Sequence, residues 1–273
     1  MKDATKIRFS RNRRTVSAYM KVAHSIPFTH MTTEIRVPGL KALCKKYDVT
    51  YTIAIMKVIA AAREKYPVMS SILGRDLTLR KQLYLCDHVD MALAIEKQEE
   101  DEFFATFAVI KDVHNKTLEE ISTEVKSLKD LPRSKMPFGL IFLMLNYIPD
   151  VVKLLIFRIL LEIPPLYKCF FGTVGLSTLG KYGLTSFDTL FVNTFGYAVS
   201  KIEEKQIIEN GKAQVEPVLY LTQTSNHCVA DGALAARVLA EIKRILESGE
   251  YISICEPVTH SLQNYSRKMA CNN

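Results

Sequence analysis

The stretch "TSNHCVADGALAARVL" (residues 224–239) places His227, Cys228 and Asp231 within one short polar segment. Before it runs "QVEPVLYLTQTSN" (214–226), whose β-branched and aromatic residues read as a strand. After it, from Gly232, Leu234, Val238, Leu239, Ile242, Ile245 and Leu246 recur on one face at helical spacing. Lys243 and Arg244 stand near the end of that pattern and Gly249 just past it, as the helix dipole and a left-handed C-cap favour. The polar residues therefore occupy a strand-to-helix turn.

Four chemistries fit such a turn. A metal site would need further ligands from elsewhere, and adjacent residues leaving a strand point in opposite directions, so no metal is expected. A Cys228 nucleophile would need a base that its neighbour His227 cannot easily supply, and Cys228 reads as a small core residue. Asp231 stands where an N-cap belongs, with its carboxylate available to the free amides of the first turn. His227 is open to two readings from the turn alone, a general base or a hydrogen-bonded structural histidine.

Working outward, "FTHMTTEIRV" (28–37) reads as a strand closed by Pro38, and "YTIAIMKVIAAAREKY" (51–66) as a mostly buried helix stopped by Pro67. "HVDMALAIE" (88–96) and "EFFATFAVI" (102–110) form a strand pair joined by the acidic turn "KQEED". Thr117 and Glu120 make a capping box for a helix running to about Asp130. "GTVGLSTLG" and "TLFVNTFGYAVS" (189–200) return to strand character. Strands and helices alternate irregularly, which predicts an α/β architecture with a mixed sheet.

The segment 136–171 stands apart. "MPFGLIFLMLNYIP" carries no charge, and in "VVKLLIFRILLEI" the residues Val152, Leu155, Ile156, Ile159, Leu160 and Ile163 form one apolar stripe. Neither run reaches the roughly 20 apolar residues of a spanning helix. The stripe predicts a helix packed on the core or on a neighbouring subunit, with a peripheral membrane contact as the sharper alternative.

Hydrophobic residues at 48% and charged residues at 24% describe a globular chain, which argues against long disorder. The net charge of +7 is dispersed among acids except in "RFSRNRR" (8–14), which reads as a solvated arm, so no nucleic acid is expected. Cys44, Cys86, Cys169, Cys228, Cys255 and Cys271 lie far apart with no C-x-x-C pair, which suits reduced thiols in a cytoplasmic protein. No signal-peptide pattern opens the chain. The expectation is a single domain over 1–273, with an apolar insertion at about 136–171 and a polar, loosely held tail over 251–273.

H-x-x-x-D-G after a strand and before a helix resembles the motif of the 2-oxoacid dehydrogenase acyltransferase (dihydrolipoamide acyltransferase) catalytic domains and of the chloramphenicol acetyltransferases. "SIPFTHMTTEIRV", "VTYTIAIMKVIAAAREKYPVMSS", "KTLEEISTEVKSL" and "GTVGLSTLGKYGLTSF" resemble further segments of that family, in the family's order, from about residue 7 to 249. The resemblance implies a two-layer α/β sandwich with a large mixed sheet, the chloramphenicol acetyltransferase-like (coenzyme A-dependent acyltransferase) fold. It also implies a homotrimer with its site in a channel between subunits.

Carried over by position, His227 matches the catalytic base, Ser177 of "LSTLG" the hydroxyl that steadies the oxyanion, and Asp231 the supporting aspartate. That aspartate commonly pairs with an N-terminal arginine, for which Arg11, Arg13 and Arg14 are candidates. The implied activity is direct acyl transfer between coenzyme A, as a substrate, and an unidentified acceptor. The alternative is the dihydrolipoamide acyltransferase reaction with a lipoyl domain supplied in trans, since no lipoyl attachment site or subunit-binding domain is visible. A non-enzymatic acyltransferase-like scaffold is the third. Departures exist: dehydrogenase-complex members usually read D-H-R-x-x-D-G, where this chain has Asn226 and Cys228 around the histidine, and the apolar segment at 136–171 is longer than theirs.

Overall fold

The computed structural model describes residue 5 and residues 7–99, 102–209 and 211–255. Its elements in chain order are α1 (Arg11–Ala23), β1 (Phe28–Arg36), α2 (Leu40–Tyr47), α3 (Tyr51–Ala61), β2 (Ser71–Arg75), β3 (Lys81–Leu85), β4 (Met91–Glu99) and β5 (Glu102–Ile110). There follow α4 (Leu118–Asp130), α5 (Pro137–Leu145), α6 (Asp150–Glu162), α7 (Pro164–Phe171), β6 (Val174–Thr178), β7 (Phe195–Glu209), β8 (Lys212–Asn226), α8 (Gly232–Ser248) and α9 (Tyr251–Cys255).

Six strands form one sheet in the order β1-β8-β7-β6-β4-β5, and β2 with β3 forms a separate hairpin. β6 runs parallel to both β4 and β7, while the remaining pairs are antiparallel. The sheet is therefore mixed, as the irregular alternation predicts. Its core face carries Ile35, Leu93, Val174, Leu176, Tyr197, Leu219 and Leu221, against which α3, α4 and α8 bury their apolar sides.

Local rules account for the helix boundaries. Thr117 accepts from the Glu120 amide and Glu120 returns a bond to the Thr117 amide, completing the capping box that opens α4. Asp231 caps α8 through the Leu234 amide at 2.8 Å, and Gly249 ends it with φ 75°. The predicted 51–66 helix is shorter: α3 stops at Ala61, and tight turns over Ala62–Glu64 and Pro67–Ser70 follow. β7 begins at Phe195 rather than 189, because Phe191 turns inward over the sheet. Strand pairing runs on into the predicted "KQEED" turn, since Lys97 and Gln98 are still paired with Phe104 and Phe103.

The tail expectation is corrected at its start. Tyr251 and Cys255 of α9 are buried in the main core, and the Tyr251 hydroxyl donates to the Pro38 carbonyl. Burial pushes the Cys255 thiol up to about 12. Residues 256–273 lie outside the described residues.

A second core joins α1 to α5, α6 and α7. Tyr19 stands at its centre, 5.6 Å from the ring of Phe157, 5.9 Å from Phe171 and 6.1 Å from both Phe138 and Phe142. The apolar stripe is corrected in part. Leu160 is buried and Ile156 packs against the same core, as the stripe predicts, but Lys153 and Phe157 are buried beside them while Val152, Leu155, Ile159 and Ile163 face outward. Lys153 buries its stem and reaches Asp150 at 2.9 Å, so the helix turns a different arc toward the core. Among the described residues no helix is long and apolar enough to cross a membrane.

Candidate active site

The turn after β8 is built almost entirely from backbone bonds. The Asn226 carbonyl accepts the amides of Val229 and Ala230, and its side-chain oxygen accepts the Cys228 amide at 3.0 Å. The His227 amide donates to the Pro27 carbonyl at 2.8 Å, tying the turn to the start of β1. Held at both ends, the turn projects an exposed His227 side chain. Among the described residues its imidazole has no hydrogen-bond partner, so both ring nitrogens remain available for proton transfer.

Ser177 lies on β6, on the sheet face opposite the main core, because it alternates with the core residues Val174 and Leu176. That face is lined by small and polar side chains. Register aligns Ser177 with Ala198, Thr222 and Thr32 in one row, and Gly175 with Gly196, Thr224 and His30 in the next. The Phe191 ring covers Gly175 and Gly196 so closely that an added Cβ would meet it at 2.3 and 2.6 Å. Ser177 is 8% exposed and its hydroxyl has no hydrogen-bond partner among the described residues, which leaves it free to donate.

The same register separates Ser177 from His227. Ser177 pairs with Ala198 and Ala198 with Thr222, so His227 lies five residues further along β8 and two strands across. At about 3.3 Å per residue and 4.8 Å between strands, their Cα atoms in one chain are roughly 19 Å apart. One copy of the chain does not bring the two side chains together.

Asp231 keeps its capping role, and among the described residues it meets none of the three candidate arginines. Arg13 donates to the Phe103 carbonyl at 2.8 Å, the Arg11 guanidinium lies 5.1 Å from the centre of the Tyr147 ring, and Arg14 adds to the positive field around Asp150. All three stand at the start of α1, which packs on α5 and α6 rather than on α8. Cys228 is exposed, contrary to its reading as a core residue, and lines a cavity of about 360 Å³ with Asn226, Pro27, Lys81 and Arg158. Cys44, Cys86, Cys169, Cys228 and Cys255 are all free thiols.

His30 is a site-face residue that the sequence pattern does not single out. Its Nδ1 lies 3.1 Å from the Thr224 hydroxyl and 3.7 Å from the Asp188 carboxylate. The clue available in the sequence is the alternation of small polar residues in "THMTT" and "TQTSN", which marks a strand face built for something other than core packing.

Comparison with known proteins places this geometry. The fold is that of the dihydrolipoamide acetyltransferase cores and of chloramphenicol acetyltransferase. One structure of Azotobacter vinelandii dihydrolipoamide acetyltransferase, solved to examine the role of a serine, a histidine and an asparagine in its catalytic mechanism, superposes with a TM-score of 0.67. It is 18% identical, covering 92% of this chain and 94% of that one. A chloramphenicol acetyltransferase superposes with a TM-score of 0.51 at 17% identity, over 87% and 94% of the two chains. The architecture is thus that of the chloramphenicol acetyltransferase-like acyltransferases.

Within that class, the chain belongs to the family of 2-oxoacid dehydrogenase acyltransferase catalytic domains, whose model matches residues 1–136 and 171–254. It is a coenzyme A-dependent acyltransferase family. Residues 137–170, between the matched segments, carry α5, α6 and most of α7. The dihydrolipoyllysine-residue acetyltransferase component of the Buchnera aphidicola pyruvate dehydrogenase complex is 25% identical over 84% of this chain and 52% of its own length. The chain therefore spans about half the length of the curated relatives it matches.

Proposed function

We propose that this chain transfers an acyl group between coenzyme A and a dihydrolipoyl thiol, at a site that two copies of the chain complete. The observation that carries the proposal is the exposed imidazole of His227, presented by a tight H-x-x-x-D-G turn in a chain of the acyltransferase family. The interval between His227 and Asp231 is also that between the histidine and asparagine studied in the Azotobacter vinelandii enzyme.

The chemistry follows from the residue types. His227 takes the proton from the attacking thiol, whose sulfur adds to the thioester carbonyl. The carbonyl oxygen becomes an oxyanion that needs a fixed donor, and a serine hydroxyl supplies one. Collapse of the tetrahedral intermediate breaks the original carbon–sulfur bond, and the leaving thiolate recovers the proton from the imidazolium. No acyl-enzyme intermediate is required.

Because Ser177 lies roughly 19 Å from His227 within one chain, the Ser177 that serves a given His227 comes from a neighbouring copy. This supports a closed homo-oligomer, with the family resemblance favouring a trimer. Asp231 supports the site by fixing where the turn ends and α8 begins.

Transfer from acetyl-coenzyme A to free dihydrolipoamide tests the reading. The wild-type chain should turn over, and His227→Ala should lose about 10²- to 10⁴-fold while keeping its fold. Ser177→Ala should lose about 10²- to 10³-fold, as expected for one oxyanion donor. A folded His227→Ala variant with undiminished transfer would remove His227 from the mechanism.

A second reading, a different acceptor at the same site, is favoured by α5, α6 and α7, which lie outside the segments matching the family model. Turnover with a panel of alcohols and amines but not with dihydrolipoamide would select it.

A further inference from the structure

The inserted helices build a feature the acyl-transfer reading does not use. Between the β2–β3 hairpin and α6–α7 lies a groove of about 1250 Å³, with walls largely formed by apolar side chains. Leu77 and Leu79 at the hairpin tip face Ile159 and Ile163 of the helical side, and all four are exposed. Clustered exposed apolar residues of this kind mark binding surfaces. The volume is ample for a small-molecule site.

The groove has fixed geometry. Arg75 donates to the Leu79 carbonyl at 2.7 Å and pairs with Glu162 of α6 at 2.8 Å, bridging the hairpin tip to the helix. Gly74 lets the hairpin approach so closely that a Cβ there would meet Pro164 at 2.7 Å. The Asp76 carboxylate accepts the amides of Thr78 and Arg80, which folds the tip. Within that tip Leu79 adopts φ 61°, a left-handed conformation that glycine or asparagine takes at lower cost. An apolar side chain is thus held in a conformation that does not favour it.

The groove also leads to the candidate site. Arg158 and Glu162 line both this groove and the 360 Å³ cavity beside Asn226 and Cys228, so the two spaces adjoin. Glu162 is neutralised by Arg75, whereas Arg158 and Lys81 have no hydrogen-bond or ionic partner among the described residues. Arg158 thus stands where the apolar trough meets the smaller cavity, and Lys81 lines that cavity beside the His227 turn.

We infer that the groove holds a long unbranched acyl chain, with its oxygen-bearing head at Arg158 and Lys81 and directed toward the turn of His227. This rests on the acyl-transfer reading above and names its substrate class. A guanidinium and an ammonium donate only, which suits a carboxylate or a thioester carbonyl. Each methylene buried adds about 0.8 kcal/mol, or roughly fourfold in affinity, so an acetyl group would gain little from the groove.

Equilibrium binding of acetyl- and palmitoyl-coenzyme A, below the micellar concentration of the latter, tests the inference without requiring turnover. Palmitoyl-coenzyme A should bind at least about tenfold tighter. Leu79→Asn, which keeps the turn conformation, and Ile159→Ser should each lower the palmitoyl-to-acetyl affinity ratio severalfold. Ile208→Ser, on the far β7–β8 arm, should leave it unchanged. The preference should persist in His227→Ala, so loss of transfer and loss of chain binding are read separately. Competition by free palmitate would place a carboxylate at the cations, and its absence a thioester, and either supports the chain site. Equal affinity for the two thioesters would overturn the inference. So would an unchanged ratio in both groove variants, or a change of subunit number in place of a change of ratio.

Discussion

At the level of single residues, the site depends on how little the side chains of the turn do for one another. Asn226 and the backbone shape it, which leaves His227 free for chemistry and gives Asp231 a structural task at Leu234. The Asp231 cap was legible from its place before the helical pattern. The exposure of Cys228 was not, because its accessibility depends on the way the turn projects from the sheet. A prediction separates capping from catalysis. Asp231→Ala should destabilise the fold by about 1 kcal/mol, whereas Asp231→Asn, which keeps an acceptor, should be nearly neutral. Thermal unfolding of the two variants, set beside their transfer rates, checks this. A loss of rate in the asparagine variant at full stability would assign the carboxylate a role in the site beyond the cap.

Among the elements, β1, β8 and α4 could be read directly, since alternation and a capping box are local signals. α6 was legible as a helix but not in its orientation. Its apolar stripe and its buried arc overlap at Ile156 and Leu160, and periodicity alone does not say how far the helix is turned toward Phe157 and the stem of Lys153. Packing around Tyr19 decides it: Phe157 goes inside, Lys153 follows with its stem, and Leu155 is left outside. Phe157→Ala should cost about 3–5 kcal/mol through the cavity it leaves. Leu155→Ala should change stability by less than about 0.5 kcal/mol, as an exposed position does. Chemical denaturation of both variants tests the assignment, and a large loss at Leu155 would reverse the helix.

For the whole molecule, family membership explains the mixed sheet and its polar face, and register adds what motif spacing does not convey. Ser177 and His227 look like partners in a linear sequence, yet the strands on which they depend hold them roughly 19 Å apart in one copy. That separation was invisible to motif reading, because it arises from strand pairing between distant segments. Under the proposed function it makes association a condition of activity. The most direct measurement is complementation: co-expressed His227→Ala and Ser177→Ala chains, isolated as mixed oligomers, assayed for transfer from acetyl-coenzyme A. Each variant alone should be nearly inactive. In a mixed trimer of either composition, one interface in three pairs an intact His227 with an intact Ser177, so the isolated mixed trimers should recover about a third of wild-type activity. No recovery in verified mixed oligomers would contradict a site shared between subunits.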